Sequence, residues 1–177
     1  MLKFLPFLLI LSAQTFAQTE NVLQHIRDRY QEVNKNITSY KVSEISMPGI
    51  SAEGASLQGY FIGDSLQLMV EVIYETMGKE RTEVYYDKGA LVFCYSRGYK
   101  YKVPMYDSTF NQYKWDVEEE RAYFHGGKLV RWMDANKKIF TARDAAFIEK
   151  EKGYLERAAN LYKIMFKHRY DGEYQEN

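Results

Sequence analysis

Histidine, cysteine and clustered carboxylates are the side chains from which a reactive centre is most readily assembled, and this chain spaces them poorly for it. Its three histidines, His25, His125 and His168, fall on a first helical segment, a turn and a last helical segment. None pairs at the spacing that sets two imidazoles on one helix face for zinc, and there is no His-Glu-x-x-His and no Cys/His cluster. Cys94 is the single cysteine, which excludes an intramolecular disulfide. Its apolar neighbours Leu91, Val92, Phe93 and Tyr95 mark a buried small hydrophobe rather than an activated thiolate. Asp116, Glu118, Glu119 and Glu120 concentrate charge but lack the alternating oxygen ligands and central glycine of a calcium loop. No Gly-rich phosphate loop precedes a helix, no Gly-x-Ser-x-Gly elbow occurs, and Ser65, Ser96 and Ser108 have no context for activation. A hydrolase would have to draw on distant groups such as His25, Glu71 and Asp116. The sequence predicts no catalytic residue, no metal and no cofactor.

Aromatic rings are the unusual quantity. Sixteen Tyr, ten Phe and two Trp exceed what one core of this size requires. Tyrosine supplies stiff, amphipathic contact area and is enriched at interfaces. One expectation is therefore an exposed aromatic sheet face or groove built from Tyr60, Tyr85, Tyr99, Tyr101, Tyr123 and Trp132, binding a protein, a peptide or an envelope polymer. The competing expectation is cross-strand ring pairing that stabilises the sheet. A net charge of +0 gives no reason to expect nucleic acid or an anionic membrane surface as partner.

The elements that must position these residues follow from periodicity. Lys3 and the apolar run 4–11 (FLPFLLIL), followed by small and polar residues up to Ala17, have the layout of a secretory leader. The run is far shorter than the ~20 residues of a membrane span. Cleavage after Ala17 would leave one domain, 18–177, periplasmic or secreted, with no transmembrane segment. Val22, Leu23, Ile26, Tyr30, Val33 and Ile37 then recur in steps of three and four, predicting a helix over 19–36. From Ser39 the step is two. Leu66, Leu68, Val70, Val72 and Tyr74 are expected on one face of a strand, and short β-branched and aromatic stretches continue to Phe140 with glycine between them, Gly98 included. The segment 103–120, with its acidic run 116–120, reads as a longer connection, one aromatic enough to hold an irregular edge strand or to fold over the sheet. Thr141 to Asp144 resembles a capping box opening a last helix over 142–168, with Gly153 as a kink or a close approach to the sheet.

One pattern recurs three times. Tyr60-Phe61 precedes Leu66, Tyr85-Tyr86 precedes Leu91, and Tyr123-Phe124 precedes Leu129. Each has glycine between and leucine six residues after the first ring, which is a strand, a tight turn and a return strand. Tyr85-Tyr86-Asp87-Lys88-Gly89-Ala90-Leu91 and Tyr123-Phe124-His125-Gly126-Gly127-Lys128-Leu129 resemble the YYxxGxL hairpins of MORN-type proteins. The whole layout is similar to exported proteins of Bacteroidota-type bacteria: leader, amphipathic helix, tyrosine-rich meander and a Lys- and Glu-rich last helix. The resemblance implies a sheet scaffold used for binding or assembly and no catalytic residues.

The expected fold is α+β: an antiparallel meander of six to eight strands over 39–140, with both terminal helices on one face. The expected function is a non-enzymatic exported binding or scaffold module. A carrier of an apolar small molecule, held between a curled sheet and the helices, is the alternative.

Overall fold

The computed structural model describes residues 7–111 and 113–170, with side chains described from residue 18 onward. Helix α1 (Phe7–Lys35) is followed by a short 3-10 turn (Ile37–Ser39) and eight strands. These are β1 (Lys41–Met47), β2 (Ala55–Ile62), β3 (Ser65–Glu75), β4 (Gly78–Asp87), β5 (Ala90–Tyr101), β6 (Trp115–His125), β7 (Lys128–Met133) and β8 (Ile139–Phe140). Helix α2 (Ala145–His168) closes the fold. The strands pair antiparallel in chain order in one open sheet, with β1 and β8 at its edges. This is the α+β meander that the alternation predicts. Residues 1–6 of the expected leader and 171–177 of the expected domain lie outside the described residues. The expected cleavage point after Ala17 falls inside α1, whose backbone is helical on both sides of it.

The three aromatic-pair segments form three hairpins of identical register. Tyr60, Tyr85 and Tyr123 stand opposite Leu68, Phe93 and Arg131, while Phe61, Tyr86 and Phe124 stand opposite Leu66, Leu91 and Leu129. The register shifts between the two rings each time, so Gln67, Val92 and Val130 are the extra residues of three equivalent β-bulges. At the tips, Lys88 and Gly89 (φ 49° and 80°) and Gly126 and Gly127 (φ 58° and 75°) have the two left-handed residues of a tight I′-type turn.

The bulges decide which face each residue sees. Leu66 packs with Met69, Val84, Tyr86, Phe124 and Leu129 against α2. Leu68, Val70, Tyr85, Phe93 and Tyr95 pack with Ile26 and Val33 of α1. Two expectations are corrected here. Leu66 and Leu68 lie on opposite faces, because bulged Gln67 breaks the alternation. The helices also cover opposite faces, α1 one and α2 the other, because every residue of 66–71 is buried, and a strand apolar on both sides needs cover on both.

Each helix is matched to the repeat. On α2, Tyr154, Tyr162 and Phe166 meet the second ring of each hairpin: Phe124 at 6.3 Å, Tyr86 at 6.1 Å and Phe61 at 5.9 Å between centroids. Gly59 permits this closeness, since a Cβ there would lie 2.7 Å from Met165 Sδ. On α1, Arg29 is 9% exposed and donates from Nε to the Tyr86 carbonyl (2.9 Å) and from Nη2 to the Gln67 side chain. Both acceptors sit at bulges, where the ladder leaves polar groups to be satisfied from outside.

Two shorter corrections bear on the site. The acidic run 116–120 lies in a strand, but in β6, an interior strand of the sheet rather than an edge, and the connection is 102–114. Gly98 is not a turn but an interior position of β5.

Candidate ligand cleft between the sheet and α2

The α2 face of β4, β5 and β6 changes character along the strands. Val84, Cys94 and Ala122 form one row of cross-strand neighbours and are buried. The next row is Thr82, Ser96 and Glu120, and the one after it Glu80, Gly98 and Glu118. An apolar floor becomes a polar one within two rows. Above it, the C-terminal half of α2 is seated through Ala158, Leu161 and Met165, whereas Ala146, Glu149, Lys150, Gly153, Tyr154 and Arg157 face a cleft of about 1050 Å³.

Two glycines keep the cleft open. A Cβ on Gly98 in the floor, or on Gly153 in the wall, would meet no atom within 4 Å. Helix α2 is unbroken across Gly153, and the open space beside this residue is not the close approach to the sheet that its sequence position implies.

The ionic groups of the cleft are largely held in place. Glu120 accepts from Lys150 Nζ (2.9 Å), the Tyr154 hydroxyl (3.1 Å) and Trp132 Nε1 (3.3 Å). Glu71, 4% exposed below the wall, accepts two bonds from Arg157, at 2.9 and 2.6 Å. Lys100 pairs with Glu118 at 2.6 Å. Thr82 Oγ1 lies 3.2 Å from Ser96 Oγ and donates to Glu80 at 3.3 Å. Burial, then the neighbouring Glu120, push the Tyr154 phenol far above the ordinary range, so it remains a neutral donor beside Ser96. Neither histidine nor cysteine is among the lining residues. The arrangement offers fixed acceptors, hydroxyls and cations.

Burial raises the Glu71 carboxyl above its ordinary 4.5, and Arg157 offsets this only in part. The folded chain therefore holds this proton more tightly than the unfolded chain does, and the burial cost is relieved as pH falls through the folded value toward 4.5. Wild type is expected to gain stability relative to Glu71→Gln between pH 7 and pH 5 in urea titrations. A relative loss would contradict this assignment.

The six aromatic residues expected to form one surface are not brought together. Trp132 faces the cleft, but it is 6% exposed and stacks on Phe140 at 4.3 Å, while Tyr99 and Tyr101 alternate with Gly98 and Lys100 and turn their rings to Trp115 (5.5 Å) and Phe110 (5.1 Å) on the opposite face. Tyr85 is fully buried under α1, and Tyr123 lies on that same face against Phe93 (4.9 Å). Tyr60 also belongs to the α1 side, where its hydroxyl donates to Gln58 at 3.0 Å. His25, Glu71 and Asp116 have separate partners, Asp87, Arg157 and Lys102. His25 and Glu71 stand on opposite faces. Sequence reasoning missed Gly98, Lys150, Gly153, Tyr154 and Arg157. The last four recur at three- and four-residue steps, a polar stripe beside the apolar stripe of α2, and that spacing was the available signal.

Comparison with protein-family models, curated proteins and solved structures finds no match. Among the described residues, no helix is long and apolar enough to cross a membrane.

Proposed function

We propose that this protein is an exported, non-enzymatic binding module that holds a segment of a protein, peptide or envelope polymer in the cleft beneath α2. The observation that carries this reading is the floor row Glu80–Gly98–Glu118: two carboxylates flanking a position with no side chain, under open space. Such a row accepts hydroxyl or amine donors while leaving room for a chain backbone to pass over Gly98. An apolar carrier fits this cleft less well, because Glu75, Glu80, Glu118, Glu120 and Glu149 line it together with Lys79, Lys100, Lys150 and Arg157, and an apolar ligand would strip water from these charged groups without replacing its hydrogen bonds.

The purified protein, applied to peptide and glycan arrays, is expected to bind saturably to a related group of donor-rich chains and to leave them chemically intact. Absence of selective binding on both arrays, or cleavage of the bound chains, would overturn the proposal. Export has its own check. Expression in a secreting bacterial host should yield an extracytoplasmic protein beginning at Gln18, and a cytoplasmic product retaining Met1 would refute the leader.

A further inference from the structure

A second, smaller concavity lies on the other side of the sheet, between α1 and the strands. Its volume is about 330 Å³, and it is walled by Tyr30, Phe93, Tyr95 and Tyr123, with Arg27 from the helix and Arg121 from the sheet. We propose that this groove binds a small amphiphilic anion: a flat aromatic or short aliphatic body bearing one anionic head group. The inference is independent of the cleft beneath α2.

The walls are built and fixed. Phe93 is 6% exposed and sits 4.9 Å from Tyr123, 5.7 Å from Tyr30 and 6.3 Å from Tyr95, centroid to centroid. The Tyr95 hydroxyl donates to Glu119. A ligand entering here meets rings that need little reordering, which lowers the cost of binding. The volume is at the lower end of the roughly 300–1,000 Å³ of small-molecule sites, enough for one or two fused rings and too little for a long acyl chain.

Charge decides the head group. Among the described residues, the ionic side chains lining the groove are the two guanidinium groups, and no carboxylate lines it. Arg121 lies over the Tyr95 ring at 5.3 Å and donates through Nη2 to Glu119 at 3.0 Å. Arg27 donates to Gln24 at 3.3 Å and stands 3.8 Å from Glu20. Each guanidinium has five N–H donors in a planar fork, so these contacts leave donors for a second anion. An anionic head set between Arg27 and Arg121 places the rest of the ligand against the rings. A cationic head would face the two guanidinium groups, with Glu119 and Glu20 already engaged by them.

Titrating the full chain with 2-naphthoate, followed by the aromatic resonances of Tyr30 and Tyr123, tests this. One saturable site is expected. Affinity should fall roughly tenfold, about 1.4 kcal/mol, in Arg27→Met and in Arg121→Met, and at least as far for 2-naphthylmethylamine on wild type. Arg27 is exposed on α1, so its variant keeps the fold even if loss of Arg121 disturbs Glu119. Gly98→Trp, in the other cleft, should leave naphthoate affinity unchanged. Equal binding of carboxylate and amine, undiminished binding by both arginine variants, or no saturable binding at millimolar naphthoate would each overturn the proposal.

Discussion

Replacing Tyr85 by alanine is expected to cost about 3–5 kcal/mol of folding stability, the range for deleting a buried large aromatic side chain. Tyr85 is fully buried, with its ring 5.1 Å from Tyr30 and 5.7 Å from Phe93. Its hydroxyl donates to Glu83 at 2.6 Å and accepts from Asn34 Nδ2 at 3.0 Å, joining α1 to the sheet. Glu83, 4% exposed, is also held by Arg81 and Arg97, so removing the phenol deletes apolar contact and strips a buried carboxylate of one donor. Tyr85→Phe isolates the second effect and should cost about 1–3 kcal/mol, the penalty of a buried group left unsatisfied. Denaturant unfolding of the two variants measures both. Loss of less than 1 kcal/mol in Tyr85→Ala would mean that α1 is not seated on this face.

Gly98→Trp should act in the opposite sense, sparing the fold and abolishing binding in the cleft. The backbone of Gly98 is not in the left-handed region and its missing Cβ points into open space, so a side chain is accommodated without strain. A strand interior moreover favours an aromatic residue over glycine. The indole would occupy the space between Glu80 and Glu118, where the chain of the ligand is placed. Affinity for an array-selected ligand is expected to drop about 100-fold or more, equivalent to roughly 2.7 kcal/mol, with thermal stability unchanged or raised. Retained affinity in a folded variant would move the site elsewhere.

The period-two pattern made the meander and its hairpins legible, because Tyr-Phe or Tyr-Tyr, a glycine turn and leucine at a fixed offset leave little choice of register. The faces were harder to read. A single extra residue such as Gln67 reverses every side chain beyond it, and nothing in Leu66-Gln67-Leu68 announces the bulge. The consecutive apolar residues Leu68-Met69-Val70 and Val84-Tyr85-Tyr86 did carry the two-sided burial that sends α1 and α2 to opposite faces, a cue stronger than the alternation around them. Gly98 misled because glycine in a β-rich sequence usually marks a turn. The acidic run 116–120 misled because its charges look solvated until the register sets Glu119 beside Arg97 and Glu118 beside Gly98. The floor of the cleft was invisible for the same reason: it is made of rows across strands, and rows exist only after the sheet forms.

Backbone amide chemical-shift mapping with the array-selected ligand tests the placement of the site most directly. The account predicts that perturbations cluster at Ser96, Gly98, Lys100, Glu118, Lys150 and Gly153, on both walls of one cleft. Perturbations confined to β1, or to Tyr60 and Tyr123 on the α1 side, would contradict it.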